Sequence, residues 1–220
     1  MNALEAAIDE LYSAFGKIRK PRHIKSCPCC ADEDAIEALL SFDVRYVPAE
    51  VLNPYARSAL LTVGSPEDYV YYLPRILHLH ATDEQFHPDP ELTGRAISEL
   101  TMEDWPENRK QAIQNFFGHL IRRSLHPDHH LYLDSWMCMI GNARIDVKPY
   151  LSDIENARSA ALYYFEENAE TLPDRRLANV FWDMPNLRHD EIVDWFHSPE
   201  IRKIPFEEYG YQFPSSRGDE

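Results

Sequence analysis

The sequence of 220 residues has little glycine, few basic residues and no long apolar run. Its 7 glycines disfavour glycine-rich phosphate loops and folds built from many tight strand turns. The 22 basic residues face 37 acidic ones, so the formal net charge is −15. Nucleic acids and anionic membranes are bound through clustered cations, and this balance argues against both as partners. Apolar runs stay well below the roughly 18 residues of a membrane span.

The N-terminal segment and the cysteine usage both indicate a cytosolic protein. Glu5, Asp9 and Glu10 stand where a signal peptide would carry a basic segment and then an unbroken apolar one. Three of the four cysteines are crowded into the segment Cys27-Pro28-Cys29-Cys30. Such crowding is not the spacing of a disulfide framework, which fits a reducing compartment.

What the sequence does contain is a strong helical pattern. Apolar residues recur at spacings of three and four along most of the chain, which is the period of one helix face. The widest stripe consists of Ile113, Phe116, Phe117, Leu120 and Ile121. The pattern predicts an all-α fold of about eight to ten helices, stacked as antiparallel hairpins in an irregular bundle or a short solenoid. We expect a single all-helical domain over 1–204 and an extended, partly loose tail over 205–220.

A proline, a glycine and three aromatic segments predict local details. Pro74 should bend or break the helix that contains it, because its ring clashes with the preceding turn. Gly141 is expected to end a helix. Val180-Phe181-Trp182 should supply an apolar helix face. The tyrosine-rich stretches 69–72 and 163–165 suit either core packing or anchors of an interface.

One short segment has the spacing of a metal site. Cys27 and Cys30 are separated by two residues, which lets two thiolates reach one tetrahedral zinc ion, and His23 is near enough to join them. A structural zinc site normally has a second ligand pair, and none stands at a clear spacing here. The same spacing suits redox chemistry, which needs a βαβ context that the pattern lacks. The segment is a zinc site, a redox pair or simply buried packing at a helix start.

No other motif in the sequence predicts catalysis. The chain contains no G-x-S-x-G nucleophile elbow and no H-E-x-x-H zinc motif. It also contains no G-x-x-x-x-G-K-[ST] and no G-x-G-x-x-G phosphate loop. We therefore predict that the protein is not an enzyme and has no catalytic or cofactor-binding residues, with zinc as the one cofactor left open.

Two groups of carboxylates are candidates for contact with a basic partner. Their members are Asp32, Glu33 and Asp34 at one helix start, and Glu166, Glu167 and Glu170 at another helix end. Acidic residues at a helix N-terminus also interact favourably with the helix dipole, so the first group has a purely local explanation. The second group is equally explained as ordinary solvated surface. If both groups contact a partner, they should converge on one face.

Several segments form a pattern that extends over most of the chain. They are Pro21-Arg22-His23-Ile24, Cys27-Pro28-Cys29-Cys30, Tyr55-Ala56-Arg57-Ser58-Ala59-Leu60 and Tyr72-Leu73-Pro74-Arg75-Ile76-Leu77. Together they resemble a widespread, uncharacterised bacterial family of all-helical proteins, in which an acidic residue stands in the place of His78. The resemblance carries no established catalytic residues. It implies a role beside interbacterial toxins, as a neutralising or accessory protein.

The leading hypothesis from the sequence is an acidic, cytosolic protein-binding module. In its most specific form it is an immunity protein that binds and blocks a toxin domain. A toxin that acts on nucleic acid or nucleotides presents a basic cleft, and an acidic helical protein fills such a cleft with fast, salt-dependent association. The alternative is a zinc-binding helical protein or an enzyme that uses the Cys27 and Cys30 cluster.

Overall fold

The described part of the chain folds into helices joined by turns and loops, which confirms the all-α prediction. A computed structural model describes residues 3–27 and 32–213, which contain eleven α-helices and no strand. The first six are α1 (Ala3–Phe15), α2 (Glu33–Ser41), α3 (Ala49–Ser58), α4 (Pro66–Thr82), α5 (Pro90–Ser98) and α6 (Glu107–Ser124). The others are α7 (Leu133–Asn142), α8 (Lys148–Glu155), α9 (Arg158–Asn168), α10 (Leu187–Phe196) and α11 (Pro199–Tyr209).

The chain divides into two compact units, Met1–His119 and Leu120–Glu220, and the boundary falls inside α6. This division is finer than the single domain predicted over 1–204. All five members of the apolar stripe predicted for α6 are buried. Within the described residues, no helix combines the length and the apolar character that crossing a membrane requires.

The first unit is organised around α4. Helices α1 and α3 both pack on α4, and α3 also packs on α2. Tyr69, Tyr71 and Tyr72 of α4 are buried, with Tyr71 and Tyr72 in edge contact at 4.9 Å between ring centroids. These tyrosines are therefore core residues of the unit and not interface anchors.

Pro74 lies inside α4, and the helix continues through it from Pro66 to Thr82. The helix is therefore not broken at this proline, and the bend that was the other predicted outcome stays a prediction. The ring removes the hydrogen bond that an N–H at this position would give to the carbonyl four residues earlier, and it crowds that carbonyl. Leu73, Ile76 and Leu77 beside it are fully buried, so their packing offsets the lost bond.

The second unit is organised around α9 and α10. Helix α9 packs on α7, α8 and α11, and α10 packs on α7, α8 and α11 as well. Tyr164 and Phe165 of α9 are buried, and Tyr164 lies 5.0 Å from Phe196 of α10 between ring centroids. The second tyrosine-rich stretch thus also serves mainly the core.

The tail predicted to be extended from 205 onward begins later than expected. Helix α11 continues to Tyr209 and ends at Gly210, whose positive φ of 67° is the left-handed conformation that suits glycine. Pro205 is buried inside α11, so packing on that side offsets its missing backbone donor. Beyond the helix, Phe213 is buried and lies 5.7 Å from Phe165 between ring centroids. The rest of the predicted tail, residues 214–220, lies outside the described part of the chain.

Candidate functional site

The residues predicted for zinc are only partly within the described chain. His23 is exposed and Cys27 is half-buried, with the Cys27 backbone N–H donating to the Thr62 carbonyl at 3.0 Å. Cys30 lies outside the described residues. Among the residues that are described, no three histidine, cysteine or carboxylate side chains are grouped closely enough to hold a metal ion. The zinc site stays a prediction.

The first acidic group caps a helix. Asp32 precedes α2, and its Oδ1 accepts a hydrogen bond from the Asp34 backbone N–H at 3.1 Å. Asp32, Glu33 and Asp34 are all exposed, and the last two stand in the first turn of α2. This geometry is that of an ordinary acidic helix N-terminus, which satisfies free backbone donors and complements the helix dipole.

The second acidic group lies at the end of α9 in the second unit. Glu166, Glu167 and Glu170 are exposed. The Tyr209 hydroxyl of α11 donates a hydrogen bond to Glu166. The first group belongs to the first unit, so a shared face for the two groups stays a prediction.

The first unit holds a polar cluster in which two donors meet one imidazole. The Tyr12 hydroxyl lies 3.0 Å from His78 Nδ1, and an Arg75 guanidinium nitrogen lies 3.1 Å from the same atom. Because an arginine can only donate, Nδ1 must be the acceptor and His78 carries its proton on Nε2.

The pKa values in this cluster move away from neutral pH. Burial, and next the positive charge of Arg75, lower the pKa of His78 to about 4. Burial raises the pKa of Tyr12 above its usual value. General acid–base catalysis works best when the pKa of the catalytic group lies near the working pH. Neither side chain is adjusted in that way, and the cluster reads as a structural contact between α1 and α4.

A loop in the second unit carries exposed apolar side chains, in contrast to the buried polar cluster at His78. Residues 175–186, called here the 175–186 loop, join the 3-10 helix Leu172–Asp174 to α10 without regular structure. Val180 and Met184 of this loop are 87% and 60% exposed, and Leu187 at the start of α10 is 67% exposed. We call these three side chains the exposed trio. Three large apolar side chains at such exposure within one short segment make it a candidate interaction surface.

Buried asparagines hold this loop to the helices beneath it. Asn142 of α7 donates from Nδ2 to the Phe181 carbonyl at 2.9 Å, and its Oδ1 accepts from the Asp183 N–H at 3.2 Å. Asn168 of α9 accepts from the Ala178 N–H at 2.8 Å. Both asparagines are almost fully buried. Because an amide side chain matches backbone donors and acceptors, these contacts fix the path of an irregular segment.

A histidine of α10 adds a further anchor. The Leu177 N–H donates to His189 Nε2 at 3.3 Å, so this nitrogen is the acceptor and the ring proton is on Nδ1. Nδ1 in turn lies 3.0 Å from Asp190 Oδ1, which accepts from it. His189 is buried, so the loop is fixed from α7, α9 and α10 together.

Trp182 is the apolar anchor of the loop. Its ring is buried, and an added Cβ at Gly141 would lie 2.3 Å from two of its atoms. Gly141 is still helical one residue before the end of α7, and its φ is not positive, so the predicted role as a C′ helix terminator is wrong. The position needs glycine because a side chain would occupy the space of the indole. The prediction of a helix face at Val180-Phe181-Trp182 is wrong, since these residues belong to the loop. Asparagine side chains there satisfy the Phe181 backbone groups in place of helix hydrogen bonds.

Comparison with protein-family models, with curated proteins and with solved structures finds no match for this chain. The candidate site therefore rests on the chain's own residues.

Sequence reasoning missed the 175–186 loop as a surface. The signal was present in part, since Asn179 and Asn186 flank an apolar segment that also contains Pro185. Asparagine and proline in such a segment favour turns over helix. The partner asparagines at 142 and 168 belong to distant helices, and only the fold brings them under the loop.

Proposed function

We propose that this chain is a protein-binding module whose contact surface includes the exposed trio and the start of α10. The observation that carries this proposal is the construction of the 175–186 loop. Its polar backbone and Trp182 are fixed inward, while Val180 and Met184 extend into solvent. A preorganised loop loses little conformational entropy on binding, so the burial of its exposed apolar side chains contributes to affinity.

Charge supports a basic partner. The net charge of −15 gives the chain a long-range field that attracts cationic surfaces and raises the association rate. The exposed trio supplies the apolar contact that such steering alone lacks. The combination fits a partner surface with an apolar patch surrounded by lysine and arginine.

In its most specific form, the proposed module is a cytosolic immunity protein that blocks a toxin domain. Two observations support this form: the charge, which complements the basic cleft of a toxin that acts on nucleic acid or nucleotides, and the resemblance carried by the CPCC and Leu-Pro-Arg segments. Blocking requires only that the module covers the cleft, and it needs no catalytic group of its own.

The test is capture of a partner by the immobilised full chain at low salt, followed by functional assay of the protein retained. The retained protein, expressed without this chain, should arrest growth, and co-expression of the chain should restore growth. Leu187→Asp should abolish both capture and rescue. Leu61→Asp is the matched control, since Leu61 is a leucine of the first unit with 82% exposure.

Two outcomes would contradict the proposal. Capture that survives Leu187→Asp as well as Leu61→Asp would remove the assigned surface. A partner whose expression leaves growth unchanged would remove the immunity role. Association with the true partner should also slow by about tenfold or more between 0.05 and 0.5 M salt, because rim charges act mainly on the association rate.

A further inference from the structure

An open groove of about 410 Å³ runs between α8 and α10 in the second unit. Its size falls at the lower end of the range for ligand sites, about 300–1,000 Å³. Six of the residues that line it decide its chemistry: Lys148, Leu151 and Glu155 from α8, and Glu191, Asp194 and Trp195 from α10. The lining thus combines the apolar side chains of Leu151 and Trp195 with three carboxylates and one ammonium group.

Two of the side chains that line the groove are apolar, Leu151 and Trp195. Leu151 is buried, and Trp195 is partly buried with its ring 4.8 Å from Phe196 between centroids. These contacts hold the indole in place beside the groove. An indole face attracts cations through its negative quadrupole, and a flat cation stacks on it best.

The carboxylates of the groove differ in how they are paired. Glu191 already contacts Arg188 at 2.7 Å and Lys148 at 3.4 Å. Asp194 pairs with Arg175 on the exposed surface. Glu155 makes no ion pair with any other residue in the described ranges 3–27 and 32–213. One carboxylate is therefore available to an incoming cation.

The pairing of Asp194 does not close the groove to a second cation. Both partners of the Asp194 and Arg175 pair are more than half exposed. Exposed ion pairs contribute about 0–1 kcal/mol, so an incoming cation exchanges with Arg175 at little cost. Glu155 and Asp194 together then present negative charge in a groove that the Trp195 indole also lines.

The groove continues the surface assigned above. Leu187, Glu191 and Asp194 follow each other at spacings of four and three on α10, which places them on the same helix face. Leu187 belongs to the exposed trio, and Asp194 lines the groove. A partner that covers Leu187 therefore extends over the groove along the same helix.

We infer that this groove receives an arginine side chain of the protein partner. The inference rests on the proposed function, since it names the anchor residue of that partner. The guanidinium stacks on Trp195 and donates hydrogen bonds to Glu155 and Asp194. Arginine is favoured over lysine because its planar, weakly hydrated group stacks on aromatic rings and donates in a fork to carboxylates.

The experiment titrates the ¹⁵N-labelled full chain with Nα-acetyl-arginine amide and follows the four tryptophan indole N–H signals by NMR. The Trp195 signal is assigned by its absence in Trp195→Phe. The expected result is a saturable shift of this signal at millimolar probe. Glu155→Gln should weaken binding by about fivefold, the upper range for one exposed charge pair. Glu200→Gln, which removes the same charge from an exposed site in the first turn of α11, should leave binding unchanged.

Nα-acetyl-lysine amide and the neutral analogue Nα-acetyl-citrulline amide complete the design. Both should bind at least fivefold more weakly than the arginine probe. The inference is overturned if the Trp195 signal does not saturate, if Glu155→Gln binds as wild type does, or if either analogue matches arginine. Probe binding without any captured protein partner would refute the proposed function, and the groove would then be an arginine site without a protein partner. A captured partner together with a failed probe would refute the groove alone.

Discussion

The polar cluster at His78 and the polar contacts under the 175–186 loop use similar groups for different ends. At His78, Tyr12 and Arg75 join two helices side chain to side chain. Under the loop, Asn142 and Asn168 bind backbone groups of a segment that has no regular structure. The first arrangement ties helices that would pack anyway. The second determines the conformation of a segment that apolar packing alone would leave undefined.

The difference between the two arrangements shows which segment depends on buried polar groups for its conformation. A loop could have been short and polar, as most helix connections are. Here twelve residues, 175–186, are fixed by buried amides, and apolar side chains are left outside. The free-energy cost of burying these amides and exposing these apolar side chains is explained if the loop must present one shape to a partner. The predictions that follow test this contrast, from the largest expected effect to the smallest.

Asn142→Ala should give the largest loss of stability. The change removes the partner of the Phe181 carbonyl and of the Asp183 N–H in a nearly dry site. Together with the hydrogen bond that Asn142 Oδ1 also accepts from Asn186 Nδ2 at 3.2 Å, these losses cost about 3 kcal/mol of unfolding free energy. Denaturant unfolding followed by tryptophan fluorescence measures the change. Asn156→Ala, at an exposed asparagine that bonds the Ser152 carbonyl, should cost well under half as much; equal losses would refute the special role of the loop anchors.

Gly141→Ala should destabilise the second unit by about 2 kcal/mol. The new Cβ would lie 2.3 Å from the far edge of the Trp182 indole, and such overpacking costs about 1–3 kcal/mol. In a Trp182→Phe background the shorter ring leaves room, so the same change should cost much less. A double-mutant cycle measures this coupling. Additive effects would show that the indole does not set the need for glycine.

Acid should weaken the first unit through its histidines. An unfolded histidine takes up a proton near pH 6.5, whereas folded His78 does so only near pH 4 and buried His80 near pH 3. Between these values the unfolded chain binds more protons, so the unfolding free energy falls as the pH falls. For His78 alone the loss from pH 7 to 5 is on the order of 1 kcal/mol after allowance for its half-exposed ring.

Urea unfolding at pH 7 and pH 5, followed by circular dichroism, measures this loss. His78→Gln keeps an acceptor for Tyr12 and Arg75 but cannot take up a proton, so the loss between the two pH values should shrink. His23→Gln, at an exposed histidine, serves as the control and should show the wild-type loss. A loss that His78→Gln leaves unchanged would show that this imidazole is not held neutral by the fold.

The helical framework was predictable because its signal is local. Ile113, Phe116 and Phe117 share one face by spacing alone, and all three are buried. The end of the last helix was misplaced because a proline such as Pro205 usually marks a helix boundary. In α11, as in α4 at Pro74, burial of the surrounding helix face outweighs the missing backbone donor. Propensity is a weak guide where tertiary packing decides.

The candidate surface was not predictable because it depends on contacts between distant positions. Nothing in the sequence near Asn142 indicates that its amide binds residues 181 and 183. Likewise Gly141 has the sequence signature of a helix end, and only the position of Trp182 explains it. The groove is lined by residues of α8 and α10, which α9 and the 175–186 loop separate along the chain. The acidic groups that the sequence did single out lie at helix ends, and their contact with a partner stays a prediction.

The exposed trio should show the smallest effect on stability. Val180→Ser, Met184→Ser and Leu187→Ser, made together, remove side chains that are 60–87% exposed and so bury little apolar area in the free protein. Surface changes of this kind alter the unfolding free energy by about 0.5 kcal/mol or less each. Denaturant unfolding should therefore match wild type closely, while capture of the partner is lost. A large loss of stability would mean that these side chains serve the fold, and the contrast between the two polar regions would then disappear.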